Sequence, residues 1–362
     1  MKAAILRTAA AVFAAAVLFA CPVGAISAEN AILLDATTGR VLYAVKADER
    51  SLIASTTKIM TALVVCERCN VLDRVKIPSQ AVGVEGSSMY LREGEVLAVQ
   101  ELLYGMMLHS GNDAATALAI YCGGTVEGFA ELMNDKARVL GLENTHFVNP
   151  HGLDAPDHYS TARDLAVLAA YAMENPIFAR TVSAKSVRVG ERSLTNHNKL
   201  LWSVNGADGV KTGYTRAAGR ILVSSATRDG RRLICVTIND GNDWADHREL
   251  LEMGFSKYSV QTLVHKGETL GSVEIWAGQE TCAEYVAAED FSFPIAEGET
   301  VEVRPSAHGF AFAPVVRGED AGAAYILVNG KVVGKVPTCY AQTVELSSAP
   351  KSLHFWEKWL NK

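Results

Sequence analysis

Hydrophobic and polar positions follow two different periods along the first two thirds of the chain. Residues 31–46 (AILLDATTGRVLYAVK) contain two apolar runs around the turn Thr37-Thr38-Gly39, which predicts a β-hairpin. From Ser55 the run STTKIMTALVVCERC is apolar at helical spacing and on its other faces as well, which predicts a buried central helix. Residues 99–121 continue the helical pattern on both sides of a polar break at 109–113, so we predict helix, loop, helix.

The following segments complete a mixed helix and strand pattern. Further helices are predicted at 161–174 and 243–255, and strands at 208–216, 219–227 and 231–239. Arg228-Asp229-Gly230 forms a tight turn between the last two strands. A hairpin, then helices, then consecutive strands indicate an α+β fold with an antiparallel sheet, since a parallel sheet would need regular βαβ alternation.

The chain changes character after residue 258. From 262 to 348, short β-like runs alternate with turn signals, at Ala277-Gly278, Glu297-Gly298, Arg317-Gly318 and Asn329-Gly330. The 362 residues also exceed the ~250–300 that one core usually serves. We therefore predict a first domain at 29–258 and a small all-β domain at 262–348.

Both ends of the chain carry apolar segments. Lys2 and Arg7 precede an apolar run at 8–20 and small residues that end at Ala25 or Ala28, which predicts a signal peptide at 1–28. The run is too short to cross a bilayer of ~30 Å. An uncleaved membrane anchor, or lipidation at Cys21, is the alternative.

Residues 350–362 predict an amphipathic helix. Its apolar side carries Leu353, Trp356 and Leu360, and its lysines are Lys351, Lys358 and Lys362. Aromatic residues with lysines suit the surface of an anionic membrane. The alternative is a helix packed on the β domain.

Composition excludes some partners and cofactors. The formal net charge is −6, and removal of Lys2 and Arg7 with the signal peptide makes it −6 − 2 = −8, which does not suit a nucleic acid partner. Cys66-Glu67-Arg68-Cys69 has no second pair at ligand spacing, so we predict neither a metal nor a cofactor. The apolar surroundings of Cys122 and Cys235 predict core residues.

Three short motifs occur in order: Ser55-Thr56-Thr57-Lys58, Ser110-Gly111-Asn112 and Lys211-Thr212-Gly213. Ser55 and Lys58 lie three apart on a helix, so their side chains are within contact range. The serine hydroxyl needs a base, and Lys58 can serve if burial or a second cation such as Lys211 lowers its pKa. In the loop motif, a hydroxyl can relay protons and an amide can hold a substrate carbonyl.

The third motif lies in a predicted strand. Gly213 would allow another backbone to approach closely, as a substrate pairing along a sheet edge requires. Each motif alone is weak evidence, because Ser348-Ala349-Pro350-Lys351 and Ser203-Val204-Asn205 repeat two of the patterns. The order and context of the three carry the inference.

Together the motifs match the set found in penicillin-binding proteins and class A β-lactamases. The chain resembles the low-molecular-mass serine D-alanyl-D-alanine carboxypeptidases (peptidase S11), most closely the sporulation type, from about residue 31 to the C-terminus. The matching segments are 54–63, 86–95, 101–115, 149–154, 159–166, 209–219 and 246–255. The resemblance implies a serine β-lactamase/transpeptidase-like catalytic domain followed by an all-β domain and a C-terminal amphipathic helix.

The resemblance also implies residue roles. Ser55 would be the acylated nucleophile, Lys58 its general base, and Ser110 and Asn112 the proton relay and substrate-amide contact. Lys211 would set the electrostatics. Substrate would bind along Thr212, Gly213 and Tyr214, with an oxyanion hole made by the backbone N–H groups of Ser55 and Tyr214.

The cation that binds the substrate carboxylate is left open by the sequence. Several relatives carry Arg where His197 stands here, and Arg216 and Arg248 are both candidates. His151 and His247 lie in family signatures, where we expect structural hydrogen bonds.

The predicted function is an exported D-alanyl-D-alanine carboxypeptidase that trims peptidoglycan stem peptides, is inhibited by β-lactams and acts at the outer face of the cytoplasmic membrane. A D,D-endopeptidase is the nearest alternative. A class A β-lactamase would need a second base, and residues 144–165 contain no convincing E-x-x-L-N signature. A non-catalytic wall-binding protein is disfavoured by the intact Ser55, Lys58 and Lys211.

Overall fold

Helices and strands account for most of the chain in the computed structural model, which describes residues 26–307 and 309–348. Most of the predicted signal peptide and the predicted C-terminal helix lie outside the described residues. The helices are α1 (Lys58–Arg68), α2 (Val99–Leu108), α3 (Asn112–Gly123), α4 (Val126–Val139), α5 (Ala162–Met173), α6 (Pro176–Ser183), α7 (Leu200–Ser203) and α8 (Asp243–Lys257).

The strands fall into a first group before α8 and a second group after it. The first comprises β1 (Asn30–Asp35), β2 (Val41–Val45), β3 (Arg74–Lys76), β4 (Val96–Ala98), β5 (Ser186–Val189), β6 (Arg192–Thr195), β7 (Ala207–Thr215), β8 (Gly219–Arg228) and β9 (Arg231–Ile238). The second comprises β10 (Tyr258–Val264), β11 (Thr269–Trp276), β12 (Cys282–Ala287), β13 (Phe291–Ala296), β14 (Val301–Ala307), β15 (Phe310–Phe312), β16 (Asp320–Val328) and β17 (Lys331–Tyr340).

A five-stranded antiparallel sheet in the order β2-β1-β9-β8-β7 organises the first group. Alternate residues of its central strands face different cores. Ile32 and Val236 join the large helical core, whereas Leu33 and Cys235 pack with Leu250 of α8. Helices thus cover both faces, which explains why β8 and β9 are apolar over most of their length. Strand β7 lies at the edge, so one side of its backbone is available for an extended peptide.

Helix α1 lies in the middle of the helical layer. Residues 58–65 are all buried, and the helix packs against α2, α3, α4, α5 and α6. The predicted buried helix is therefore confirmed. It begins at Lys58, because the residues before it, Ala54–Thr57, form a 3-10 turn that holds Ser55.

The hairpin, the two helices around the break at 109–111 and the three consecutive strands match the prediction. The helices α4 and α6 were missed. Both begin at a side-chain cap that the sequence displays: Thr125 accepts from the amide of Gly128, and Asn175 accepts from Ile177 ahead of a helix that starts with Pro176. These cap residues could have predicted where α4 and α6 begin, which hydrophobic periodicity alone did not.

The second group of strands forms the all-β domain that the sequence predicts. Strand β10 pairs with β13, and a six-stranded sheet has the order β14-β16-β17-β12-β11-β15. The turn at Asn329-Gly330 joins β16 to β17, with both residues at positive φ. Strand β10 starts directly after α8 ends, and the bounds 29–258 and 262–348 stay a prediction. Across the described residues, no helix has the length and apolarity to cross a bilayer.

Candidate active site

The nucleophile candidate Ser55 lies in a tight turn. Ala54, just before it, has a φ of 44°, a left-handed backbone conformation that residues other than glycine rarely adopt. Such strain costs about 1–3 kcal/mol and concentrates at functional sites. The following residues enter α1, which places Lys58 against the serine: Lys58 Nζ lies 2.9 Å from Ser55 Oγ.

Lys58 is fully buried in an environment that disfavours its charge. Its Nζ contacts Ser55 Oγ, donates to Asn112 Oδ1 at 2.7 Å and donates to the carbonyl oxygen of His151 at 2.7 Å. None of these partners is a carboxylate. Burial, and then the charge of Lys211, hold the pKa of Lys58 well below its ordinary value. The neutral amine is thus favoured, and a neutral amine can accept the proton of Ser55.

Lys211 is the second buried cation of the site. Its Nζ donates to the carbonyl oxygen of Thr212 at 2.9 Å, and burial lowers the pKa of Lys211 to about 7. Two ammonium groups in one buried site repel each other. Both causes that the sequence analysis considered therefore act on Lys58, burial more strongly than the charge of Lys211.

The loop between α2 and α3 brings the second motif to the same place. Ser110 has a φ of 60° and lines the active-site cavity, and Asn112 opens α3. The amide of Asn112 is held at both ends, since its Nδ2 donates to the carbonyl oxygen of Glu85 at 2.6 Å while its Oδ1 accepts from Lys58. Asn112 thus orients Lys58, and its contact with a substrate amide stays a prediction.

Asp113 supports this loop and was not singled out from the sequence. Its carboxylate accepts hydrogen bonds from Ser88 Oγ at 2.6 Å and from the backbone amides of Met89 and Leu91 at 3.1 Å. These bonds hold the segment 86–91 against the site and bring Ser87 into the cavity wall. The sequence indicated this support only in that residues 86–95 are among the segments that resemble the family.

Gly213 is required by close backbone packing. A Cβ there would lie 3.3 Å from Ile53 O, Ser55 N and Thr56 N. This distance is tighter than most side chains tolerate, so the absence of a side chain lets β7 lie against the turn that holds Ser55. The backbone amides of Ser55 and Tyr214 are thereby brought close together, which suits the predicted oxyanion hole.

A cavity of about 490 Å³ opens over Ser55. One wall consists of motif residues, namely Ser55, Ser110, Thr212, Gly213 and Tyr214. The lining also includes His197, Arg220, Asp243 and Trp244. The three motifs, dispersed over more than 150 residues of sequence, therefore meet at one cavity beside the edge strand.

The two predicted carboxylate-binding arginines do not line this cavity. Arg216 lies in the turn between β7 and β8, and Arg248 lies on the exposed side of α8. Arg220 of β8 lines the cavity instead, and its Nε and Nη2 bind the buried carboxylate of Asp243 at 3.1 and 2.5 Å. Sequence analysis missed Arg220, although strand pairing places it directly opposite Tyr214.

The histidines of the family signatures make contacts that suit structural roles. His247 is buried between Ser224 Oγ at 2.6 Å and Thr237 Oγ1 at 2.9 Å, and burial lowers its pKa to about 3. Burial also lowers the pKa of His151 to about 4, and its Nδ1 accepts from the amide of Leu153. Both imidazoles are neutral at pH 7 and act through hydrogen bonds.

A serine in contact with a buried lysine, beside the edge strand of an antiparallel sheet flanked by helices, defines a serine acyl-transfer enzyme of the penicillin-binding type. The family description for peptidase S11, D-alanyl-D-alanine carboxypeptidase, matches residues 16–242. The C-terminal domain of penicillin-binding protein 5 matches residues 258–346. The chain belongs to the peptidase S11 family of D-alanyl-D-alanine carboxypeptidases, which are serine-type hydrolases, and the predicted carboxypeptidase activity is confirmed.

Relatives and solved structures agree. D-alanyl-D-alanine carboxypeptidase DacF of Bacillus subtilis is 32% identical over 86% of this chain and 84% of that protein. DacC of Escherichia coli is 35% identical over 87% and 83%. Penicillin-binding protein 5 from Haemophilus influenzae superposes with a TM-score of 0.76 at 30% identity, covering 88% of this chain and 98% of that one.

Proposed function

We propose that this carboxypeptidase removes the terminal D-Ala of peptidoglycan stem peptides through an acyl-enzyme on Ser55. The observation that carries the proposal is the 2.9 Å contact between Ser55 Oγ and a buried Lys58 that has no carboxylate among its hydrogen-bond partners. The kind of bond cleaved is supported by the names of the relatives. Intact mass after incubation with penicillin, with and without Ser55, tests the proposal.

In the proposed reaction, Ser55 Oγ attacks the carbonyl carbon of the penultimate D-Ala while Lys58 accepts the hydroxyl proton. The backbone amides of Ser55 and Tyr214 stabilise the oxyanion. As the C–N bond breaks, the proton passes to the leaving amine of the terminal D-Ala, with Ser110 as relay. Water then hydrolyses the ester on Ser55, with Lys58 again as the base.

A β-lactamase needs a further base for deacylation. Among the described residues that line the cavity, the one carboxylate is Asp243, and it is ion-paired with Arg220. Both oxygens of this carboxylate accept hydrogen bonds from Arg220, so neither is placed to orient a hydrolytic water. We therefore expect the acyl-enzyme formed from a β-lactam to persist.

Arg220 is the cation that we assign to the terminal carboxylate of the substrate. Asp243 engages its Nε and Nη2, which fixes the guanidinium plane and leaves Nη1 to bind a ligand in the cavity. Thr212 lines the same cavity and supplies a hydroxyl. Neither Arg216 nor Arg248 lines this cavity, which supports Arg220 over them in this proposal.

We expect Arg220→Ala to lower kcat/KM on a peptide ending in D-Ala-D-Ala by about 10–100-fold, since a charged hydrogen bond contributes about 1.5–3 kcal/mol. For a substrate whose terminal carboxylate is amidated, the Arg220→Ala variant and the parent should have nearly the same kcat/KM, because no carboxylate remains for Arg220 to bind. Steady-state kinetics on both substrates measures the difference. Arg216→Ala and Arg248→Ala are matched controls and should stay within about twofold; a large loss in either, with Arg220→Ala unaffected, would move the assignment.

Export is proposed from the N-terminal pattern, and the first described residues bear on the site of cleavage. Ser27 donates from its amide to Asp246 at 2.6 Å, and its hydroxyl lies between the carboxylates of Asp240 and Asp246, at 2.7 and 2.8 Å. Cleavage after Ala28 would remove these bonds and leave two neighbouring carboxylates facing each other. We therefore expect the mature chain to begin at Ile26, which N-terminal sequencing of the secreted protein checks; a start at Glu29 would contradict it.

The predicted C-terminal amphipathic helix is proposed to hold the enzyme at the outer face of the cytoplasmic membrane. Deletion of residues 350–362 should lower binding to anionic vesicles at least ~10-fold, while activity on a soluble peptide stays unchanged. Co-sedimentation with vesicles and steady-state kinetics provide the two readouts. Unchanged vesicle binding, or a collapse of thermal stability on truncation, would instead favour a helix packed on the β domain.

A further inference from the structure

Three aromatic side chains form an exposed cluster on the β domain. Trp276 ends β11 and is 49% exposed, and Phe310 and Phe312 of β15 are 49% and 61% exposed. The ring centroid of Trp276 lies 5.2 Å from that of Phe310 and 5.9 Å from that of Phe312, and the two phenylalanine centroids are 5.6 Å apart. Because each ring packs against the other two, these residues, the aromatic cluster, present one continuous apolar surface.

The register of the sheet turns these rings outward. Strand β15 pairs in parallel with β11, so that Trp276 lies beside Phe312 and Ile275 lies beside Ala311. Ile275 is buried in the core of the β domain, and Ala311 packs against that core. The strand Phe310–Phe312 therefore turns its small residue inward and its two large apolar residues outward, the reverse of the usual pattern on a sheet with one solvated face. The stability of the core does not account for this arrangement.

The described part of the chain ends beside the aromatic cluster. The amide of Ser347 donates to the carbonyl oxygen of Ala277 at 2.8 Å. Ser347 also lines a cavity of about 680 Å³ together with Trp276 and Phe312. The segment 350–362 begins three residues after Ser347, a span of at most roughly 10 Å of extended chain. Whatever surface this segment binds therefore lies near the cluster.

We propose that the aromatic cluster is a second membrane-contact site, which inserts its three rings into the headgroup region of the lipid surface that segment 350–362 binds. The inference rests on the proposed membrane anchor, because an anchored segment brings the cluster within reach of the lipid. Tryptophan and phenylalanine rings suit the boundary between headgroups and acyl chains, where their apolar area leaves water. Two attachment points give the β domain a fixed orientation on the membrane, which one attachment point does not impose.

Charge distinguishes this contact from the one proposed for the C-terminus. Glu274 is exposed, lies beside Phe310 in the strand register and lines the same cavity as Trp276. None of the described residues that line this cavity is a lysine or an arginine. The cluster therefore does not attract anionic lipid, and it binds by burying apolar area, an effect that salt does not screen. The lysines of segment 350–362 supply the preference for anionic lipid.

The test measures binding of the full mature chain to vesicles of zwitterionic phosphatidylcholine, on which lysines contribute little. Trp276→Ser combined with Phe312→Ser should weaken binding at least ~10-fold, because two half-exposed aromatic groups no longer leave water. The loss should be equal at low and high salt. Phe312→Trp should bind at least as tightly as the parent, since it keeps an aromatic ring at this position. Co-sedimentation over a lipid titration provides the readout.

Two exposed apolar residues outside the aromatic cluster are matched controls. Trp202 of α7 is 51% exposed, and Val332 of β17 is 61% exposed. Trp202→Ser combined with Val332→Ser should bind vesicles within about twofold of the parent. Both double variants should keep the Tm within about 3 °C and the activity on a soluble peptide within about twofold, because they change surface positions away from the active-site cavity.

Deletion of residues 350–362 separates this inference from the proposed anchor. If the deletion weakens binding and the cluster variant binds as the parent does, the anchor stands and the inference is overturned. If the cluster variant weakens binding and the deletion does not, the anchor fails while the cluster remains a membrane contact.

Two further outcomes would assign the aromatic cluster to a different occupant. A cluster variant that lowers the Tm of the full chain, but not that of the chain without residues 350–362, would show that this segment packs on the cluster. A concentration-dependent dimer that the cluster variant abolishes, measured by sedimentation without lipid, would assign the cluster to a second copy of the chain. Either result would overturn the membrane contact.

Discussion

Ser55→Ala should abolish covalent labelling by β-lactams and reduce carboxypeptidase activity to background. Removal of the hydroxyl leaves no atom that can form the ester, while the cavity and its binding groups remain. A loss of this kind corresponds to at least ~10⁴-fold in rate, by comparison with serine nucleophiles in other acyl-transfer sites. Intact mass spectrometry after incubation with penicillin, followed by peptide mapping of the parent adduct, measures it.

The chain supplies its own control for this experiment. Ser348, which does not line the cavity, is the serine of a second S-x-x-K pattern in the sequence, Ser348-Ala349-Pro350-Lys351. Ser348→Ala should be labelled at the parent rate, and the parent adduct should map to the peptide that contains Ser55. Labelling of Ser55→Ala at full rate would show that the nucleophile is elsewhere.

Lys58→Ala should lower the acylation rate by about 10²–10⁴-fold, the usual contribution of a general base. Lys58→Arg should fail as well, since a guanidinium does not give up its proton and its planar fork does not fit the space of an ammonium. The rate constant of acylation, measured with a chromogenic β-lactam in stopped flow, distinguishes these effects from changes in turnover.

The fold should survive the Lys58→Ala substitution, because Lys58 is a buried amine that has no carboxylate partner to leave unpaired. Its removal leaves the carbonyl of His151 and the amide of Asn112 without their donor, which costs about 1–3 kcal/mol of stability. Circular dichroism and Tm check this directly. Near-normal acylation by Lys58→Arg would place the base elsewhere, with Lys211 as the next candidate.

The pH dependence of acylation follows from the same buried lysine. Only neutral Lys58 accepts a proton, and its pKa is held well below the ordinary value by burial and by Lys211. The parent should therefore acylate efficiently at neutral pH and lose activity as the pH falls through this lowered pKa, when Lys58 becomes protonated. An acid limb that began near 10.5, the ordinary pKa of lysine, would contradict the assignment.

The elements that hydrophobic periodicity specifies were predictable from sequence. The hairpin, α1, the two helices around Ser110 and the three consecutive strands β7, β8 and β9 each have a long and regular pattern, which depends on local spacing alone. The motifs were predictable for a related reason: Ser55 and Lys58 are neighbours on one helical turn, so their contact needs no information from the rest of the chain. The class of enzyme could thus be inferred before any fold was known.

Tertiary structure alone decided which arginine lines the cavity. Local sequence does not distinguish Arg216, Arg220 and Arg248 from one another. Arg220 lies at the cavity beside Asp243 because β7 pairs with β8 and because α8 carries Asp243 to the same place. Contacts between residues far apart in sequence depend on how whole elements pack, and local patterns do not contain that information.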